Sequence, residues 1–264
     1  MELHLSNKTA LVSGSTAGIG LAIAQGLARE GATVYLNGRT QKRVDEAMHQ
    51  ILRKQPYAKV HGVAADLGTR EGAGTLFGSL AKVDILINNL GIFQPKQFED
   101  INDEEWQHFF DVNVLSGVRL SRQYLSGMRE RGWGRIVFIS SESGVQIPVE
   151  MIHYGVTKTA QLAVARGLAE SVRGTGITVN SVLPGPTRSE GVGQFIKDMA
   201  HHQSKSEQEI ETDFFKSARP SSLIERFATP EEVANLVVYV ASECSSATTG
   251  AALRVDGGVV RSVI

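Results

Sequence analysis

The chain predicts an α/β fold: a doubly wound, seven-stranded parallel sheet with helices on both faces. Three observations carry that expectation. Apolar, strand-forming runs alternate with segments of helical period along almost the whole sequence. A glycine-rich turn follows the first run and opens a helix, as in a βαβ unit. No linker, repeat or low-complexity stretch divides the 264 residues, so 1–264 reads as one domain, long enough to bury a full core.

Residues 8–13 (KTALVS) form the first strand. The turn from Gly14 to Gly20 follows, and residues 21–30 take up helical period, with Leu21, Ala24, Leu27 and Ala28 on one face and Gly31 as the stop. Residues 33–37 (TVYLN) are the second strand. A helix over 41–54 stops at Pro56, and residues 59–65 (KVHGVAA) are the third strand, ending at Asp66. A glycine-interrupted helix over 69–80 leads to the fourth strand, 83–88 (VDILIN), and then to Asn89-Leu90-Gly91. A long helix spans 103–131, with Asn113 or Gly117 as the place for a break. The fifth strand, 135–140 (RIVFIS), is followed by a helix over 150–173 and a sixth strand, 177–183 (ITVNSVL), stopped by Pro184-Gly185-Pro186. Thr229 caps a last helix, with Pro230 in its first turn and Glu231 and Glu232 at the positive dipole end. Residues 252–255 (ALRV) are the seventh strand. The outlier is 188–227, too long for a plain connection. It holds charges, His201, His202, Phe195, Phe214 and Phe215, and reads as a lid or substrate-binding flap.

Composition excludes several function classes. Twenty-seven basic residues against 28 acidic ones give a formal net charge of −1 with no long basic run, which disfavours nucleic acid as the main partner. No apolar run approaches the roughly 20 residues of a membrane helix, and the first residues lack the basic and apolar regions of a signal peptide. The single cysteine, Cys244, makes no intrachain disulfide, so the cytoplasm is the expected compartment. His153, His201 and His202 have no partners at zinc-like spacing, and no metal is expected.

Two stretches carry chemistry. Gly14, Gly18 and Gly20 give the first turn backbone freedom and let N–H groups approach a pyrophosphate at a helix N-terminus. Ser13, Ser15 and Thr16 add hydroxyl donors. The end of the second strand chooses the cofactor. A carboxylate there would bond a ribose 2′-OH, but Asn37-Gly38-Arg39-Thr40 has none. Arg39 offers a planar, permanently charged fork for a phosphate and Thr40 a hydroxyl, so NADP(H) is expected over NAD(H), which stays possible. In the second stretch, 141–158, Tyr154 and Lys158 stand four apart in a helix and share one face. An ammonium beside a phenol favours the phenolate and predicts a tyrosine pKa below the usual value of about 10, fit to trade protons near neutral pH. Ser141 follows the fifth strand, at the sheet edge where ligands bind. Glu142 beside it reads as a solvated carboxylate.

On these residues the chain resembles the short-chain dehydrogenase/reductase family over residues 8 to 258. The family's Thr-Gly-x-x-x-Gly-x-Gly appears as Ser13-Gly14-Ser15-Thr16-Ala17-Gly18-Ile19-Gly20, and its Asn-Asn-Ala-Gly as Asn88-Asn89-Leu90-Gly91. Leu90 is a departure that sets a larger side chain beside the expected cofactor groove. The helix asparagine matches Asn113; Ser, Tyr-x-x-x-Lys matches Ser141, Tyr154 and Lys158; Pro-Gly matches Pro184-Gly185, with Thr187 for the carboxamide; Asp66-Leu67 resembles the adenine-contacting position. The resemblance implies a Rossmann fold, NADP(H) held by these motifs and by Arg39 and Thr40, and hydride transfer between nicotinamide and a small carbonyl or secondary alcohol. Tyr154 would be the acid/base. Lys158 would lower its pKa and bond the nicotinamide ribose, Ser141 would hold the substrate oxygen, and Asn113 would anchor a water joining Lys158 to solvent. A homotetramer or homodimer built on the helices at 103–131 and 150–173 is implied too. A 3-oxoacyl-carrier-protein reductase, met by Arg129, Arg131 and Arg173, a sugar or polyol dehydrogenase using NAD(H), and a non-catalytic NADP(H)-sensing protein are the alternatives.

Overall fold

The computed structural model describes residues 1–263; Ile264 and the side chain of Phe195 lie outside the description. In chain order the elements are β1 (Thr9–Val12), α1 (Gly18–Arg29), β2 (Thr33–Gly38), α2 (Gln41–Lys54), β3 (Val60–Ala64), α3 (Arg70–Ser79), β4 (Ile85–Asn88), α4 (Asp103–Phe110), α5 (Ser116–Arg131), β5 (Gly134–Ile139), α6 (Ile152–Ser171), β6 (Ile177–Pro184), α7 (Glu190–Gln203), α8 (Glu207–Ser217), α9 (Pro230–Val240) and β7 (Ala252–Val255). All seven strands are parallel, in the order β3-β2-β1-β4-β5-β6-β7.

Alternation along the strands decides what each helix covers. Ala10 and Val12 of β1, Ile85 and Ile87 of β4, and Val137 and Ile139 of β5 join one buried cluster with side chains of α1, α2 and α9. Their neighbours Leu11, Leu86, Ile136 and Phe138 join a second cluster with side chains of α3, α5 and α6. Both faces are buried, which is why these strands read as unbroken apolar runs. The strand order reverses between β1 and β4, and the crevice beyond their carboxyl ends receives Gly14 on one side and Asn89 to Gly91 on the other.

Strand ends differ from the sequence reading by one or two residues, and three helix boundaries differ with more consequence. The helix α1 starts inside the glycine turn, at Gly18. The long helix over 103–131 is two helices joined by a π-helical turn, Asp111–Leu115, so the break falls at Asn113. The helix expected from 150 begins at Ile152, after a 3-10 turn at Val149–Met151. The excursion 188–227 is mostly helical. Ser189 and Ser206 cap α7 and α8, the second with a reciprocal Ser206–Glu209 capping box. Its buried residues Ile196, Ala200, Ile210, Phe215 and Phe227 form a cluster apart from the two that sandwich the sheet. Among the described residues no helix is long and apolar enough to cross a membrane.

Candidate active site

The glycine turn is tied to the end of β4. Asn89 Nδ2 donates to Ser13 O and Gly14 O, both at 2.9 Å, and Ser13 Oγ accepts from the N–H groups of Asn89 and Leu90. Gly14 and Gly18 both take left-handed φ, +59° and +55°. A Cβ on Gly20 would lie 2.5 Å from Gly14 O and from Asn89 Nδ2, so only glycine lets the turn close. Ala17 supplies no side-chain cap to α1 and the first turn holds no acid, whereas Thr40, Thr69 and Asn102 cap α2, α3 and α4. An uncapped, acid-free helix start facing a glycine cradle fits a pyrophosphate. Among the described residues the Thr16 hydroxyl has no hydrogen-bond partner. That of Ser15 does: it donates to Val12 O at 2.7 Å and accepts from Asn37 N, so this side chain builds the turn rather than offering a donor. At the end of β2, Asn37 is buried and spent on Gly14 N, Val63 O and Ala65 O. Arg39 is exposed and pairs with no described residue, while the Thr40 hydroxyl caps α2 by accepting from Arg43 N.

A cleft of about 200 Å³ joins this turn to the helix α6. Ile19, Asn89, Gly91, Ser141, Tyr154 and Lys158 line it, together with Pro184, Gly185 and Thr187 beyond β6. The i,i+4 spacing does place Tyr154 and Lys158 side by side, with Lys158 Nζ 5.5 Å from the tyrosine ring centre. The electrostatics run against the sequence expectation, however. Burial pushes the Tyr154 phenol above its ordinary value; Glu142 adds to the rise, while a hydrogen bond with Ser141 and the charge of Arg219 oppose it. Burial also lowers Lys158 to about 8. Lys158 Nζ donates to Ile139 O at 2.9 Å and Gln161 Oε1 at 3.3 Å, and burial outweighs its nearness to the phenol.

Asn113 supports this arrangement rather than facing the cleft. Its Oδ1 accepts from Ile92 N at 2.8 Å, and its Nδ2 donates to Ile92 O and to Thr157 Oγ1. Its carbonyl accepts from Gln161 Nε2. The link between Lys158 and Asn113 therefore runs through the Gln161 amide. Gln161 was not read from the sequence; its i+3 position after Lys158 on the same helix was the available signal. Ser140 and Ser141 diverge as strand alternation requires: Ser140 Oγ bonds Lys158 O, and Ser141 bonds Glu142 and Ser143 N.

Other expected contacts fall as follows. Leu90 is half-buried: it packs against the cluster around Leu11 and Leu86 and beside Gly14 of the turn, and is not part of the cleft lining. Leu67 is fully buried, leaving only its backbone to a ligand, and the Asp66 carboxylate accepts from Gly68 N. Thr187 Oγ1 donates to Gly185 O, and the turn of Asp256 crosses so close to Gly185 that a Cβ there would meet Asp256 O at 2.5 Å. Glu142 is buried, not solvated. Among the described residues no cluster of His, Cys, Asp and Glu could hold a metal ion.

A family profile described as enoyl-(acyl carrier protein) reductase matches residues 14–260. The uncharacterized oxidoreductase YvaG of Bacillus subtilis is 49% identical over the full length of both chains. The 3-oxoacyl-[acyl-carrier-protein] reductase FabG of Aquifex aeolicus is 32% identical over 98% of this chain and all of its own. The crystal structure of L-sorbose reductase from Gluconobacter frateurii, complexed with NADPH and L-sorbose, superposes with a TM-score of 0.93 at 33% identity, covering both chains completely.

Proposed function

The chain belongs to the short-chain dehydrogenase/reductase family, oxidoreductases that work on CH–OH and C=O groups with a nicotinamide cofactor, and from that premise we propose an NADPH-dependent reductase of a small carbonyl compound. The observation that carries this reading is the convergence of Ser141, Tyr154 and Lys158 on one cleft with Gly91, Pro184, Gly185 and Thr187. The preference for NADPH rests on the free Arg39, on the absence of a carboxylate at the end of β2, and on the NADPH bound by the sorbose reductase.

Gly14, Gly18 and Gly20 with the start of α1 would hold the pyrophosphate, and Arg39, Thr16 and Thr40 would meet the adenosine half. NADPH supplies the hydride when bound. The raised pKa keeps Tyr154 protonated at neutral pH, so its O–H is set to donate to a carbonyl oxygen. Ser141 stands beside Tyr154 in the cleft and orients its hydroxyl. Lys158, Gln161 and the Asn113 carbonyl fix the helix face from which Tyr154 acts. The α7–α8 segment is the lid: Ser189 and Val192 line the cleft from its near end. A small, hydroxyl-bearing ketone is favoured over an acyl-carrier-protein thioester by the likeness to L-sorbose reductase along the whole chain. Of the arginines that could meet a carrier, Arg131 is tied to Val83 O and Asp84. Self-association is read onto the outer face of α5 and α6, where Val118, Leu125, Val164 and Leu168 line a second cleft.

The test is NADPH oxidation against a panel of ketoses, simple ketones and oxoacyl thioesters, with Tyr154→Phe beside the wild type. The variant should keep NADPH affinity within a few-fold and lose about 10²–10⁴-fold in turnover. Near-normal turnover by Tyr154→Phe on a true substrate would defeat the assignment.

A further inference from the structure

One more buried charge touches the reacting groups. Glu142 follows Ser141 at the end of β5 and is 5% exposed. One of its carboxylate oxygens accepts the Ser141 hydroxyl proton. The other accepts from Arg219 Nε at 3.2 Å. Arg219 stands in the turn that leaves α8; its N–H donates to Phe214 O, its guanidinium lies over the Phe214 ring, and it reaches Glu150 at 3.4 Å. The Arg219 side chain is only 11% exposed. A continuous path of hydrogen bonds thus joins the lid to the catalytic serine.

The chemistry of each group gives the path a direction. A serine hydroxyl has one proton, and here Glu142 takes it, leaving Ser141 Oγ as an acceptor. It accepts from Ser143 N at 3.1 Å. A buried carboxylate needs a cation, and Arg219, a planar two-sided donor, is the one that reaches it. We propose that Glu142 and Arg219 are positioning residues for the Ser141–Tyr154 pair: the lid arginine fixes the carboxylate, the carboxylate fixes the serine hydroxyl, and seating of the lid thereby sets the hydrogen-bond direction at the reacting oxygen. This inference rests on the reductase reading above.

The charges that face Tyr154 are Lys158 from its own helix, Glu142 from the loop after β5 and Arg219 from the lid; His153 turns away, onto Phe109. Glu142 and Arg219 bear on Tyr154 with opposite sign. Glu142→Gln removes the negative charge and should move the pH midpoint of kcat to lower pH. Arg219→Met removes the positive one, so the midpoint should move up. Each shift should be about half to one pH unit, with kcat near neutral pH down about tenfold and the KM for NADPH unchanged. The double variant leaves no unpaired buried charge, should fold even if Arg219→Met does not, and should return the midpoint toward wild type.

A second measurement on the full chain needs no substrate. Deuterium uptake in residues 141–151 and 205–219 should rise together in each single variant and rise no further in the double. Midpoints that shift in the same direction, losses of kcat that simply multiply in the double variant, or unchanged uptake in Arg219→Met would overturn the proposal. A wild type that turns over no carbonyl would sink the reductase reading alone, and the uptake pattern would still decide whether the lid is tied to the catalytic loop.

Discussion

Gln161 accepts a hydrogen bond from the Lys158 ammonium at 3.3 Å, one helical turn further along α6. The same amide donates to the Asn113 carbonyl. That carbonyl sits in the π-helical turn at Asp111–Leu115, where the backbone leaves the regular ladder of α4 and α5. Two irregular facts, a π-turn in one element and a buried glutamine in another, are thus one device that fixes where the ammonium points.

Replacing Gln161 with Met should uncouple that device. The Asn113 carbonyl and the Lys158 ammonium would each lose a partner in a buried site. Steady-state kinetics should show kcat down about tenfold, with the KM for NADPH raised no more than a few-fold. A variant with wild-type kcat would reduce Gln161 to packing.

Arg39 decides between the two nicotinamide cofactors if the free guanidinium meets a 2′-phosphate. Arg39→Ser should weaken NADPH binding by about 10- to 100-fold, the worth of one charge-assisted contact. NADH binding should stay unchanged, because nothing else at the end of β2 is charged. Fluorescence titration with both cofactors reads the ratio directly. A ratio that does not move refutes the assignment.

Lys158 makes stability depend on pH in a definite window. Its pKa falls from 10.5 unfolded to about 8 folded, so between those values the unfolded chain binds more protons and stability rises with pH. The charged form costs about 3 kcal/mol below pH 8, and that cost vanishes above pH 10.5. Lys158→Met removes the cost. Denaturant unfolding should find this variant gaining on wild type below pH 8, with the gain lost as pH rises from 8 to 10.5. A difference that is flat with pH would show that the ammonium is not held at a lowered pKa.

Local spacing made most of this legible. Tyr154 and Lys158, or Gly14, Gly18 and Gly20, act within a turn or two of backbone, so their separation in sequence is their geometry. The central strands β1, β4, β5 and β6 were readable because both of their faces are buried. What escaped needed the fold. Glu142 looked like a solvated carboxylate because its partner Arg219 lies 77 residues away. Ser15 looked like a ligand donor because sequence does not show that Val12 O and Asn37 N already use it. The tyrosine pKa was misread because a helical i,i+4 rule gives proximity but not burial, and it is burial of the phenol that raises it.

The α7–α8 segment closes its apolar side chains on themselves, as Ile196, Ala200, Ile210, Phe215 and Phe227, rather than on the sheet. Such a block can drift or be exchanged between relatives while the strands and the cofactor turn stand still. A graft of residues 188–227 from another member of the family would carry its substrate taste with it. Among the graft's obligations to the host, beside the backbone bonds of Leu223 and Ile224 to Gly257 and the Arg226–Glu232 pair, is a cation where Arg219 now meets Glu142.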